Sequence, residues 1–287
     1  MKTPRVKYEP SWDRKKLKPP PGGSLIVHPI VNVEHWVYSE RMPRVVLPPP
    51  QGIEGVPDVP NWSWKEYGWR CGLPRIMGVL AGFGVRATAS INGDVCNQYP
   101  RMAQAMNEAG WDFMGHGFVQ RPMAAVEDER QVIAETKAAL ESFSGRKMRG
   151  WMGPGLSETF ETADLLKEQG VEWTCDWTVD DLPVEVQTAH GPLVGVPYTL
   201  ELNDIVVFAI EHHSSHEMYR RLLRSLPTYL EEIKENPRVL AISVHPYISG
   251  VPHRIGYYRR MFEKLARVPE VVFMTGSEIT DWYLAQN

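Results

Sequence analysis

SLIVHPIVNVEHW, at positions 24–36, begins as a run of apolar and β-branched residues and ends with an acid, an imidazole and an indole side by side. The run predicts a buried β-strand. Ionisable groups such as Glu34 and His35 seldom end a buried strand for packing reasons alone, because burying a charge is costly. Alternation along a strand places Glu34 on the face of His28 and Asn32, and His35 on the opposite face.

Strands and helices alternate along the rest of the chain. Strands are predicted at VRATASI, WDFMGH, KMRGWM, VEWTCD, PLVGVPY, DIVVFAIE, RVLAISVH and EVVFMT. Between most of them lie stretches with helical spacing of apolar residues, such as VEDERQVIAETKAALESF. This order predicts an α/β protein with a parallel sheet covered by helices. Because no GxGxxG motif follows a strand, a (β/α) barrel is preferred to a dinucleotide-binding open sheet.

The chain has 287 residues, a length that suits one large domain. Two proline-rich stretches in the first quarter predict ordered loops, because proline removes a hydrogen-bond donor and fixes the backbone. We therefore predict one catalytic domain over 1–287. A wrapping segment with the first strand occupies 1–63, and the remainder of the barrel occupies 64–287. Pro29, inside the first strand, predicts an edge strand and an imperfectly closed barrel there.

Composition and charge argue against several classes of partner. The net charge of -4 provides no general attraction to nucleic acid or to an anionic membrane. The basic N-terminus lacks the apolar core of a signal peptide, and three cysteines without CxxC spacing indicate free thiols. We expect a cytoplasmic protein that binds neither nucleic acid nor membranes, and we also expect a homo-oligomer.

Acids, imidazoles and indoles recur where the predicted strands end. In a parallel barrel these ends meet at one face, where active sites lie. A histidine at a strand end can also be a structural hydrogen-bonding group, and a tryptophan can belong to the core. The candidates selected on this basis are Glu34, His35, Trp36, His116, Trp151, Gly153, Asp176 and His245.

Several stretches in this order resemble the polysaccharide deacetylase superfamily (carbohydrate esterase family 4, or NodB-homology family). They are NVEHW, AGWDFMGHGF followed by EDER, RGWMGPG, DWTVDDLP, VPYTLELND, SVHPYISGVPHRI and TGSEITDWY. The resemblance covers most of the chain after Gly22 and is greatest to the branch of PuuE-type allantoinases and cyclic-imide hydrolases. It implies a deformed (β/α) barrel of about seven strands and a hydrolase of carbon–nitrogen bonds other than peptide bonds.

The resemblance also implies roles for individual residues. The family's first strand ends in a base and a metal-binding aspartate, and these positions are held here by Glu34 and His35. His116 matches the first metal histidine, whereas Gln120 stands where the second would be. His245 matches the general acid. Further matches are Asp176 as a later catalytic acid, and Arg149, Gly153, Asn203 and Asp204 as substrate-binding residues beside Trp36 and Trp151 as pocket walls.

His35 and Gln120 depart from the metal ligands of the family, so the sequence leaves open whether a metal is bound. His35, His116 and Glu34 remain credible ligands for one divalent ion such as zinc, whose catalytic sites take three protein ligands and water. The allantoinase branch also departs from the metal triad and works without a metal. The expected cofactor is therefore either none or one divalent metal.

Hydrolysis of an amide requires a base for water, stabilisation of the oxyanion and an acid for the leaving nitrogen. We predict Glu34 as the base and His245 as the proton donor, with His116 and His35 orienting water or a metal. Burial between two tryptophans would raise the pKa of Glu34. The expected substrate is a small cyclic amide, imide or ureide. The alternatives are a metal-dependent N-acetyl deacetylase and a non-catalytic binding barrel.

Overall fold

The computed structural model describes residues 3, 5–48, 52–53 and 55–286. Its strands are β1 (Leu25–Val33), β2 (Thr88–Ile91), β3 (Asp112–Gly115), β4 (Gly150–Trp151), β5 (Trp173–Thr174), β6 (Val184–Val186), β7 (Leu193–Gly195), β8 (Arg238–Val244) and β9 (Val271–Phe273). Its α-helices are α1 (Val59–Tyr67), α2 (Leu73–Gly82), α3 (Val95–Gln98), α4 (Pro100–Glu108), α5 (Glu129–Ser144), α6 (Thr162–Glu168), α7 (Glu217–Glu232), α8 (Pro246–Ser249), α9 (Pro252–Leu265) and α10 (Gly276–Leu284). Gly68–Gly72, between α1 and α2, and Ile205–Ile210 are π-helical. Short 3-10 turns lie at Ser11–Asp13, Met123–Ala125, Pro154–Leu156 and Leu200–Leu202.

The strands form one sheet in the order β6-β7-β5-β4-β3-β2-β1-β8, with β9 paired to β1. Every strand pair is parallel except β6 with β7, which is antiparallel. The alternating α/β order and the deformed barrel are therefore confirmed, with nine strands among the described residues where about seven were expected. No helix in this part of the chain is long and apolar enough to cross a membrane.

The barrel's open seam lies between β8 and the β6–β7 hairpin, not at β1. β1 pairs with β8 along one edge, and with β9 and then β2 along the other. On that second edge the Leu25 N–H donates to the Glu270 carbonyl, and the Val27 carbonyl accepts from the Met274 N–H. Pro29 shares this edge by alternation and faces the gap between β9 and β2, where no N–H is needed. The prediction of an edge strand was therefore wrong.

One predicted strand is a helical turn. DIVVFAIE, at 204–211, is rich in β-branched residues, yet Ile205–Ile210 is π-helical. The Asn203 side-chain oxygen accepts from the Ile205 N–H at 3.0 Å, which starts the turn. The turn follows Asp204, whose carboxylate hydrogen-bonds to His245, the residue directly after β8. Tertiary contacts therefore override the local strand propensity here.

The N-terminal segment packs along the barrel wall. Val6 forms an isolated antiparallel bridge to Val186 of β6, and the indole N–H of Trp282 donates to the Lys18 carbonyl at 2.8 Å. Helix α1 begins at Val59 and so crosses the predicted internal boundary at 63. The single-domain assignment stays a prediction.

Trp173 is fully buried against two glycines, which gives the fold a testable packing contact. A Cβ at Gly150 would lie 2.1 Å from Trp173 Cζ2, and one at Gly276 would lie 2.2 Å from Cη2. Gly150→Ala is therefore expected to lower the free energy of unfolding by about 2–3 kcal/mol, because the core cannot accept the methyl group. Chemical denaturation measures this. The control is Gly78→Ala, in open space on α2. It is expected to raise the free energy of unfolding by at most about 1 kcal/mol. Similar changes in both variants would contradict the packing argument.

Candidate active site

The carboxyl ends of several strands surround a cavity of about 340 Å³. Its polar walls come from β1, β7, β8 and the loop after β3, while prolines, leucines and isoleucines from the loops narrow its mouth. The polar lining residues are Asn32, Glu34, Arg44, His116, Gln120, Tyr198, Asn203 and His245, and the indole of Trp36 joins them. Ligand sites of barrels lie at this face.

Glu34 is buried and held by directed hydrogen bonds. Its Oε2 accepts from the Trp36 indole N–H at 2.9 Å, and its Oε1 accepts from the Gln120 amide at 3.0 Å. His245 Nε2 lies 3.5 Å from Oε1. Burial raises the pKa of Glu34, but the opposing effects of His245, His116 and Trp36 are larger together. The pKa is therefore lowered to about 2. The expectation of a raised pKa was wrong because burial here comes with a cationic partner.

His245 is a buried imidazolium. Its Nδ1 lies 2.7 Å from Asp204 Oδ1, and its backbone N–H donates to Asp204 Oδ2 at 2.7 Å. The Ser249 hydroxyl donates to the same Oδ2, so the carboxylate is held from three sides. Burial lowers the pKa of His245, but Asp204 and Glu34 outweigh it and raise the pKa to about 9. The ring therefore directs Nδ1–H to Asp204 and Nε2–H towards Glu34.

His116 is neutral, with its tautomer set by a backbone carbonyl. Its Nδ1 lies 2.5 Å from the Met152 carbonyl, which only accepts, so Nδ1 carries the proton. The Nε2 lone pair then accepts from the Gln120 amide at 3.2 Å. Burial lowers the pKa of His116 and outweighs the opposing effect of Glu34. The two site histidines thus differ in charge because only His245 has a buried carboxylate behind it.

Gln120 fills the space between Glu34 and His116 with an amide donor. Its NH₂ donates to both residues, and its oxygen accepts from the Asn92 amide at 3.3 Å, which fixes the orientation. A divalent cation requires lone pairs directed at it, and N–H groups occupy that direction here. The donor set therefore does not fit the metal that the family resemblance implies.

His35 faces away from the cavity. Its Nε2 lies 3.6 Å from Asp94 Oδ2, and its ring lies 5.8 Å from the Tyr99 ring. Its backbone faces the site instead: the N–H donates to the Asn92 side-chain oxygen at 2.7 Å, and the carbonyl accepts from the Gln120 N–H at 3.0 Å. The predicted ligand set of His35, His116 and Glu34 does not come together, because adjacent strand residues point to opposite faces. Within the described ranges, no group of three or more histidines, cysteines or acids could hold a metal.

Asp176 lies behind the cavity wall and does not line it. Its Oδ1 accepts from the Gly153 N–H at 2.8 Å, and its Oδ2 from the Thr174 hydroxyl at 3.1 Å. Burial, followed by the nearby Glu158 carboxylate, raises the pKa of Asp176 well above its ordinary range. Asp176 and Gly153 thus support the loop whose Met152 carbonyl orients His116. This is a positioning role in place of the catalytic one that was predicted.

Two other predicted site residues lie outside the cavity. Trp151 is fully buried in the main hydrophobic core, so it is not a pocket wall. Arg149 precedes the two-residue strand β4 and lies at its opposite end, where it pairs with Glu172 at 2.8 Å and Asp281 at 2.5 Å. The placement of both as substrate-binding residues was wrong. Asn203 lines the cavity, whereas Asp204 acts through His245.

Sequence reasoning missed two polar residues of the cavity. Tyr198 follows β7 within the quoted stretch VPYTLELND, and Arg44 lies in the proline-rich segment after β1. A tyrosine at a strand end was a usable signal for Tyr198, because it has the same position as the selected histidines. Arg44 had no such signal, since the course of a loop is not readable from its composition.

Comparison with known proteins agrees with this fold. The sequence profile described as polysaccharide deacetylase matches residues 66–174. A Schizosaccharomyces pombe protein assigned as a polysaccharide deacetylase is 25% identical over 245 residues, which cover 78% of this chain and 76% of that protein. The crystal structure of PuuE allantoinase has a TM-score of 0.82 at 23% identity, covering 93% of each chain.

A second crystal structure, assigned as a polysaccharide deacetylase of Pseudomonas aeruginosa PAO1, has a TM-score of 0.80 at 21% identity over 93% of each chain. At these identities the two structures show a shared fold, the deformed barrel. The chain is thus similar in sequence to polysaccharide deacetylases over residues 66–174, and it shares the fold of these two structures.

Proposed function

We propose that the chain opens a small cyclic amide, imide or ureide by hydrolysis, with protein groups alone as acid and base. The observation that carries this proposal is the buried pair of Glu34 carboxylate and His245 imidazolium, 3.5 Å apart on the wall of the cavity. A base and an acid with pKa values far apart are what amide hydrolysis needs at neutral pH.

The pair accounts for each proton of the reaction. Glu34 Oε1 takes a proton from water while the water oxygen attacks the carbonyl carbon. The C–N bond then breaks as His245 Nε2–H gives its proton to the leaving nitrogen. Loss of the imidazolium charge raises the pKa of Glu34, so the proton gained from water can pass on to His245 and restore the pair. No net charge is created in the buried site.

The cavity favours a small ring over a polymer. About 340 Å³ is near the lower end for small-molecule sites. Loop residues from several sides form its mouth, including Pro43, Pro122, Leu156 and Ile210. A sugar N-acetyl group is the second candidate, supported by the deacetylase names of relatives. The expected cytoplasmic location and homo-oligomeric state stay predictions.

A substrate screen tests the proposal. Hydantoin, dihydrouracil, succinimide, allantoin and N-acetylglucosamine oligomers are each incubated with protein treated with a strong chelator, with and without added zinc. Because an amide N–H₂ occupies the metal position, ring opening is expected at a rate that chelation leaves within about twofold of the untreated rate. Product is measured by NMR and metal by elemental analysis. Zinc-dependent deacetylation would establish the second candidate, and binding without turnover of any compound would indicate a non-catalytic barrel.

A further inference from the structure

Tyr198 is a buried cavity residue whose hydroxyl belongs to a chain of polar side chains. The hydroxyl lies 2.6 Å from Ser243 Oγ and accepts from the Asn203 amide at 3.1 Å. The Asn32 amide donates to Ser243 Oγ at 2.8 Å. Tyr198, Asn203 and Asn32 line the cavity, whereas Ser243 is fully buried behind them.

Both amides are oriented with N–H towards the Tyr198–Ser243 pair. The Asn203 oxygen accepts from the Ile205 backbone N–H at 3.0 Å, so its NH₂ faces Tyr198. The Asn32 NH₂ also reaches the Val244 carbonyl at 3.3 Å, and a carbonyl can only accept. Flipping the Asn203 amide would place its NH₂ against the Ile205 N–H, and flipping the Asn32 amide would place its oxygen against the Val244 carbonyl. The pair is therefore supplied with donors from both sides.

The donor between Tyr198 and Ser243 follows from counting protons. If Tyr198 donated to Ser243, the Ser243 proton would have no acceptor among the described residues at a site with no solvent access. A buried unpaired donor is costly, and buried polar groups are nearly always paired. If Ser243 donates, the Tyr198 oxygen accepts twice and its own O–H is directed into the cavity. The second arrangement satisfies every group.

We propose that the Tyr198 hydroxyl donates a hydrogen bond to the carbonyl oxygen of the scissile amide and to the oxyanion that forms there during water attack. Burial raises the pKa of Tyr198 above its ordinary value, so the hydroxyl keeps its proton. The donors behind it polarise the O–H and strengthen it. This assignment rests on the proposed function, and it makes Tyr198 a catalytic residue that the family resemblance did not supply.

The position of Tyr198 suits this role. Through Ser243 it connects to Asn32, which precedes Glu34 by two residues and shares its face of β1. The donor for the carbonyl oxygen and the base for the water therefore belong to one wall. A preorganised donor of this kind costs no reorganisation during the reaction.

Tyr198→Phe tests the proposal on the best substrate of the wild-type protein. We expect kcat to fall by about 100-fold with KM changed less than about threefold, because the bond strengthens in the transition state. The matched control is Tyr258→Phe, which removes a buried hydroxyl that has no hydrogen-bond partner among the described residues and lies outside the cavity; its kcat should be unchanged. A kcat for Tyr198→Phe within threefold of wild type overturns the proposal.

A second variant keeps the hydroxyl. Tyr198→3-fluorotyrosine makes the phenol a stronger donor, and we expect kcat to rise by about two- to fivefold; an unchanged kcat contradicts the role, even if Tyr198→Phe fails to fold. Absence of turnover by the wild-type protein on every substrate would contradict the proposed function as well. Turnover that is the same in wild type and in the variants at Tyr198 would contradict only this inference.

Discussion

Glu34→Gln is expected to reduce kcat/KM by about 10⁴-fold while the protein still binds its substrate, because the variant lacks the base that takes the proton from water. The substitution has a second effect. Glu34 helps to raise the pKa of His245, so removing the carboxylate charge also weakens the acid. Base and acid act as one unit here, and losses within such a unit are large and non-additive.

The measurement compares turnover with binding. Steady-state rates on the best substrate give kcat/KM, and calorimetric titration with the same substrate gives the affinity. Glu40→Gln is the matched control, since Glu40 follows the same strand but forms an exposed ion pair with Arg121. It should keep the wild-type rate. Equal rates for Glu34→Gln and wild type would show that another group activates the water.

Strand ends were the most informative sequence feature. Glu34 and His245 are far apart in the chain, yet each directly follows a strand of one sheet, and these strands, β1 and β8, are parallel neighbours. Their meeting could therefore be predicted. Arg149 shows the limit of this reasoning: β4 has only two residues, so the sequence does not indicate which end of the strand Arg149 occupies.

Charge states depend on neighbours that the sequence does not place. Burial alone predicts a raised pKa for Glu34, and the opposite sign arises because His245 is held protonated by Asp204. Pro29 failed for a related reason. The edge-strand rule considers one partner for each edge, whereas β1 changes partner from β9 to β2 at that proline. Both corrections come from tertiary contacts that local pattern does not encode.

The second large effect is expected from Asp204→Asn, read through the pH dependence of kcat/KM. In the wild-type protein the active form has Glu34 ionised and His245 protonated. Activity should therefore be flat at neutral pH and fall about tenfold per pH unit above a pKa of about 9, where His245 loses its proton. The acid limb, set by Glu34 near a pKa of about 2, lies below the working range.

Asp204→Asn reverses the direction of the hydrogen bond between residue 204 and His245 Nδ1. Asp204 Oδ2 already accepts from the His245 backbone N–H and the Ser249 hydroxyl, so the amide oxygen of the variant must take that position. Its NH₂ then faces His245 Nδ1 and donates to the ring, which leaves the imidazole neutral and lowers its pKa. We expect kcat/KM at pH 8 to fall by about 10³-fold, because a neutral imidazole is a poor acid.

The alkaline limb of the pH profile of kcat/KM separates this effect from a general loss of structure. In Asp204→Asn it should move below pH 7, since the carboxylate that raises the His245 pKa is gone. Asp112→Asn provides the control, because it neutralises a half-buried acid at the amino end of β3, beside the Ser277 N–H and away from the cavity. Its profile should match wild type. If Asp204→Asn loses activity but keeps a limb near pH 9, His245 is not the acid that protonates the leaving nitrogen, and the loss belongs to packing around α8.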